Sequence, residues 1–365
     1  MGNPPSIRVA SLLDSLALEH RSSYVARSAA LAWLLAACAT ETPVAGTVTV
    51  FPTPFSTAAA PSIEDSPVAP LPTDVDLDQR KVALGKRLFF DKRLSGDGKV
   101  SCHDCHNLNY GGSNGIAKSS LPDRPPVGVN VPTVLNAAFN FRFAWNGRFK
   151  DIAEQIDVAL GLKTAMNSSW EVAVKAISPD AEYKHDFAAA YPEGLTDETL
   201  REAVSIYTLS LSTPNARFDR HLRGELQLST DEARGWELFR EYGCVSCHQG
   251  INIGGNMVQK LGIVRDYFAD RGNITPPDYG LFNSTKRPED RFVFRVPSLR
   301  NVALSGPYFH DGSVAMLEDA VAVMARYQLG RTLAPKDIHD ITSFLRSLTG
   351  ELDGQPLAQA SSATP

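Results

Sequence analysis

An all-α fold in two related halves with long loops is predicted by three observations. Two Cys-x-x-Cys-His runs stand at Cys102-His103-Asp104-Cys105-His106 and at Cys244-Val245-Ser246-Cys247-His248. An apolar helical stripe precedes each run and another closes each half, and strand signals are few. In such a run two thiols form thioethers with haem vinyl groups while the adjacent imidazole ligates the iron. Cys102, Cys105, Cys244 and Cys247 are therefore read as covalent attachments for two haem c groups, with His106 and His248 as proximal ligands. Zinc would need further thiolates or histidines, and neither run has a second CxxC to close a tetrahedral cage.

The 365 residues, 43% of them hydrophobic, suffice for two domains with cores. A net charge of -5 argues against a nucleic-acid partner and leaves room for a charged patch that docks a small redox protein. The fifth cysteine, Cys38, ends the short apolar run Ala29 to Ala37 in Leu35-Ala36-Ala37-Cys38. That ending resembles a bacterial lipoprotein signal (residues 1–38) with a lipid anchor on Cys38; an ordinary cleaved signal is the alternative, and either places the mature chain outside the cytoplasm. Asp14 and Glu19 do not suit the positively charged start of a signal, so translation is expected to begin at Val25. Residues 39–76 are Pro, Thr, Ala and Ser rich and aperiodic, which predicts a disordered tether.

Order is expected from Leu77. Val82, Leu84, Leu88 and Phe89 form the stripe before the first run; Ser229-Thr230-Asp231-Glu232 is a capping box before the second, followed by Trp236, Leu238 and Phe239. Gly85-Lys86-Arg87-Leu88-Phe89 and Gly235-Trp236-Glu237-Leu238-Phe239 correspond, a weak internal repeat. Closing helices are expected after Thr196, with Leu200, Ala203, Ile206 and Tyr207 on one face, and from Pro335, with Ile338, Ile341, Phe344, Leu345 and Leu348. A helix before the haem run and one closing the domain is how small cytochrome c domains clamp a haem. The division is thus an N-terminal haem domain, 77–220, a C-terminal one, 221–353, and a disordered tail, 354–365.

Leu84 to Asp91 (LGKRLFFD), Val131 to Asn136 (VPTVLN), Ala144 to Arg148 (AWNGR), Val296 to Ala303 (VPSLRNVA) and Pro307 to Gly312 (PYFHDG) resemble the motifs of bacterial di-haem cytochrome c peroxidases, a likeness that runs from about Asp76 to Glu351. The group also includes the enzyme that matures the tryptophan-derived quinone of methylamine dehydrogenase. The resemblance implies a periplasmic oxidoreductase that reduces hydrogen peroxide at the N-terminal haem. Its electrons come from a small cytochrome c or cupredoxin through a higher-potential C-terminal haem, and a homodimer is compatible with it. Three methionines, Met257, Met316 and Met324, are candidates for the sixth ligand of the second haem. Spacing alone puts Met324 on a core face with Leu317 and Val321, whereas Met324 to Gly330 matches the family's ligand segment; the quinone-maturing relatives carry Tyr there. The resemblance further makes Trp145 an electron relay, Gln155 a distal-pocket residue, and Asn130 with the backbone carbonyls of Ser305 and Pro307 a calcium site.

Some positions depart from the family pattern. Asn146 follows Trp145 where Asp is usual, Ala159 replaces a usual Pro, no His lies between His106 and His185 to cap the first iron, and Ala165, just before the matching Met166, stands where the family has its catalytic Glu. Glu154 and Glu171 read as solvated helix charges, His185, His221 and His339 as surface residues, His103 as outward-facing, and His310 as structural or near a haem. The alternative to a peroxidase is accordingly a non-catalytic di-haem electron-transfer or sensing protein that has lost the distal acid.

Overall fold

The computed structural model describes residues 66–358 except 120 and 122, together with the backbone of Ile7–Arg8. The signal segment, Val25, Cys38, the tether as far as residue 65 and the tail from residue 359 lie outside the described residues.

Helix α1 (Gln79–Phe89) starts at Asp78, whose carboxylate accepts from the Arg80 amide, and buries Leu84, Leu88 and Phe89. The first Cys-x-x-Cys follows as one helical turn, Cys102–Cys105, with Ser101 and Asp104 closing a reciprocal cap. Then come α2 (Ile152–Gly161), α3 (Trp170–Ile177), α4 (Ala181–Ala190) and α5 (Asp197–Ser210), the last capped by Thr196. The second half repeats the order with α6 (Thr230–Glu241), its Ser229–Glu232 capping box in place, followed by the turn Cys244–Ser246, α7 (Leu317–Gln328) and α8 (Pro335–Arg346). Strands are few and short: β1 (Val258–Lys260) pairs antiparallel with β2 (Val293–Arg295), and β3 (Glu351–Leu352) with β4 (Gln355–Pro356). Among the described residues no helix is long and apolar enough to cross a membrane.

The repeat seen in the sequence has a packing cause. α1 lies on α5 and α6 lies on α8, and each pair touches at a glycine. A Cβ on Gly85 would fall 2.0 Å from the Ala203 carbonyl oxygen, and one on Gly235 would fall 1.9 Å from that of Asp340. Only a residue without a side chain lets the backbones approach this closely. Gly235→Ala is expected to cost about 1–3 kcal/mol by overpacking, read as a lower midpoint in chemical denaturation; a midpoint equal to wild type would mean the helices separate freely.

Two cores result. One joins α1, α3, α4 and α5 through Leu84, Leu88, Ile177, Phe187 and Leu200; the other joins Phe218, Leu238, Phe239, Ile341, Phe344 and Leu348. The expected boundary between 220 and 221 falls inside the helical run Arg217–Leu222, whose Phe218 and Asp219 are buried in the second half. The expected tether is also ordered at its end, because Val68 and Leu71 are buried, Val68 in the second core. The Pro67 carbonyl accepts from Gly250 N at 2.8 Å, and the Ala69 carbonyl accepts from Arg300 Nη2 at 3.0 Å. The expected tail begins as the β3–β4 hairpin, with Leu357 against the Phe89 cluster.

Candidate haem and electron-transfer site

The site in the second half is a cavity with mainly apolar walls. Cys244, Cys247 and His248 reach it from the turn after α6; Leu317, Val321 and Met324 reach it from one face of α7, so the stripe that reads as core in the sequence faces the cavity. Trp145, Asn130, Ser305, Pro307, His310 and Arg295 complete it. Of the three candidate methionines, Met324 alone is on this wall, and Met316 is 57% exposed. Trp145 and Met324 both pack against the cluster of Leu261, Tyr267, Phe268 and Phe294, and the indole Nε1 of Trp145 donates to the Asn130 carbonyl at 2.7 Å. Asn130 is buried, donates its amide to the His310 carbonyl at 2.8 Å and its side-chain nitrogen to Ile116 O at 3.0 Å. Three oxygen-bearing residues, Asn130, Ser305 and Pro307, thus share the wall proposed for calcium.

Thiol and imidazole chemistry fits haem better than zinc or redox exchange. Burial pushes Cys102 up to about 12, with Cys105 adding to the effect, and Cys244 up to about 11; all four thiols are unpaired. A redox CxxC has a lowered thiol pKa instead. Burial pushes His248 down to about 4, which keeps the imidazole neutral, the form that binds iron. The cavity also holds a buried guanidinium, Arg295, with no carboxylate partner among the described residues. A flat apolar macrocycle that carries carboxylates matches this lining.

In the first half Cys102, Cys105 and His106 come together, and burial likewise pushes the His106 pKa down. Its Nδ1 lies 3.3 Å from the Gly112 carbonyl, which also accepts from Val134 N at 3.1 Å. The segment carrying Pro132 and Thr133 therefore touches the His106 loop while lining the cavity that Cys244, Cys247 and His248 reach. Gln155 projects from α2 with its Oε1 buried and without a hydrogen-bond partner. Met166 packs in the cluster that includes Leu160 and Cys102, and Ala165 beside it is half-buried.

Other side chains lie as follows. Glu154, Glu171, His185 and His339 are exposed; His221 Nδ1 is 3.2 Å from Leu226 O. His103 does not face outward freely: its ring lies 4.5 Å from that of Phe90, and its Nδ1 is buried without a partner. His310 is buried, its Nε2 2.7 Å from Asp278 Oδ1, while Arg271 bridges Asp278 and Asp311 at 2.7 Å each. Burial would raise the Asp278 carboxyl, but hydrogen bonds from Arg271, Thr275 and His310 hold it well below the usual range. Neither this network nor Arg295 was singled out in the sequence; His310 at a motif position was the only signal.

Comparison with known proteins agrees with this geometry. The family profile described as di-haem cytochrome c peroxidase matches residues 79–227. Cytochrome c peroxidase Ccp of Escherichia coli K12 is 39% identical over 298 residues, covering 81% of this chain and 63% of that protein, so the match spans less than two thirds of that relative. Cytochrome c551 peroxidase of Nitrosomonas europaea is 37% identical over 289 residues, 79% of this chain and 85% of its own. Among solved structures, a MauG-like protein associated with microbial copper homeostasis superposes with a TM-score of 0.69 at 28% identity, covering 78% of this chain and 93% of its own.

Proposed function

Since the chain belongs to the di-haem cytochrome c peroxidase family, we propose that it reduces hydrogen peroxide at the haem of the first Cys-x-x-Cys-His run, with electrons taken up at the second. When bound, the haems supply one-electron storage and the redox chemistry of peroxide reduction, in which each peroxide takes two electrons and two protons to give two waters. The observation that carries this reading is the single cavity wall shared by His248, Met324 and Trp145. His248 and Met324 make a His/Met ligand pair, which raises a haem's potential and suits it to accept electrons from a small cytochrome c or cupredoxin. Trp145, which packs against the same cluster as Met324 and is hydrogen-bonded to Asn130, bridges toward the segment that touches the His106 loop. Gln155 orients peroxide with an amide that hydrogen-bonds but moves no proton at neutral pH. Asn130, Ser305 and Pro307 hold calcium through oxygen ligands. The protein works in the periplasm, anchored through lipidated Cys38.

The decisive measurement is steady-state peroxide consumption with a reduced small cytochrome as donor; turnover no faster than that of free haem would remove the peroxidase reading. One feature favours the non-catalytic alternative, the Ala at position 165 together with the missing loop histidine. Met324→His is expected to lower the potential of the second haem and slow its reduction by the donor, because imidazole stabilises ferric iron better than a thioether does. Unchanged potentials in redox titration would show that the ligand was misassigned.

A further inference from the structure

Among the described residues, one charge in the second cavity has no answering charge. Arg295 closes β2, paired with Val258 in the ladder, and its amide donates to the Trp145 carbonyl at 2.9 Å, so its backbone is fixed against the relay tryptophan. Its side chain is buried. The polar contacts of the guanidinium are two neutral oxygens at the outer limit of a hydrogen bond, Ala144 O at 3.4 Å from Nε and Asn140 Oδ1 at 3.5 Å from Nη1. The second fully buried guanidinium, Arg300, by contrast lies 2.5 Å from Asp219. The carboxylate-bearing residue deepest in the neighbouring network, Asp278, is already held by Arg271 and His310. Burial pushes Arg295 down to about 10, so it remains a cation at neutral pH. Burying a charge without compensation is costly, and buried charges in proteins are as a rule paired or hydrogen-bonded, so a carboxylate-bearing ligand would complete this site.

We propose that Arg295 is the anchor for a propionate carboxylate of the second haem. This rests on the reading that Cys244, Cys247 and His248 hold that haem. The macrocycle is the one anionic group the cavity is otherwise shaped to take, and a guanidinium offers a carboxylate paired donors. A cation fixed at the cavity wall, with the propionate's charge compensated by it, disfavours ferric relative to ferrous iron by Coulomb interaction in a medium of low dielectric constant. Arg295 is thus a second contributor, besides Met324, to the higher potential that the electron-accepting haem needs.

The test uses the holoprotein and variants Arg295→Gln and Arg295→Lys. Redox titration that resolves the two haems is expected to show a fall in the second midpoint potential in Arg295→Gln, a smaller fall in Arg295→Lys, and no change at the first. Resonance Raman spectra are expected to show the propionate-bending band of the second haem shifted in both variants, which a purely structural role would not produce. An unmoved band and unmoved second-haem potential in Arg295→Gln, or equal shifts at both haems, would overturn the proposal. Should mass spectrometry of wild type show one haem instead of two, the reading beneath it falls as well, and the two failures are distinct.

Discussion

Ala165→Glu is expected to accelerate peroxide turnover by about a hundredfold or more, the lower end of what a well-placed general acid or base contributes. Peroxide reduction needs a proton moved from the near to the far oxygen, and Gln155, whose Oε1 is buried and unpartnered, can hold the substrate but cannot do this. The loop that bears residue 165 is fixed on both sides: Ala165 N donates to Leu162 O at 2.9 Å, Met166 N to Ala159 O at 3.4 Å, and Gly96 N to Met166 O at 3.0 Å. A carboxyl introduced there would be held in place, and a half-buried setting raises its pKa toward neutrality. Ala165→Gln, similar in size but without the proton, is expected to gain nothing. Stopped-flow reduction of peroxide by protein as isolated separates the cases. Fast wild-type turnover with no gain from the carboxyl would mean that another residue carries the proton.

The second large effect concerns folding. Asp219 and Arg300 form an ion pair with both side chains 0% exposed, and Arg300 also donates to Ile251 O at 2.9 Å from Nη2. Asp219→Ala leaves that guanidinium buried without a counter-charge and the Leu71 amide without its acceptor, and is expected to cost about 3–5 kcal/mol. The Asp219→Ala/Arg300→Met double variant is expected to recover much of the loss, since an apolar pair of similar bulk carries no desolvation penalty. Denaturant midpoints at neutral pH measure both. A loss below about 1 kcal/mol in the single variant, typical of a surface pair, would show that water reaches the pair.

The helices before and closing each half were legible because each rests on local spacing, such as the capping box at Ser229 and the 3.6-residue stripe from Leu317 to Met324, whereas the place of Met324 on the cavity wall is a matter of tertiary packing that spacing alone reads as core. What escaped notice depends on distant partners. Arg295 stands in a run, Val293 to Val296, where a lone arginine reads as a solvent-facing residue, and only the cavity shows it buried. Asp219 and Arg300 are 81 residues apart. Val68 and Leu71 sit among prolines without any period, so the segment reads as tether until its partners appear. Phe218, beside the expected boundary at 220, likewise takes its place from a distant partner, Phe344, against which it packs edge to face at 4.9 Å.

The strap at residues 67–71 has a consequence for the order of assembly. Leu71 meets Asp219 across 148 residues and Ala69 meets Arg300 across 231, so the strap can dock only after partners far along the chain have been made. Contacts of such sequence separation carry a high loop-closure entropy and slow folding. Val68 joins the second core only once the far partners in that core exist, and Gly250, whose N–H donates to the strap's Pro67 carbonyl, lies two residues beyond His248. Docking of the strap therefore waits on residues as far along as Arg300, and the segment just after His248 is tied to it only at that stage.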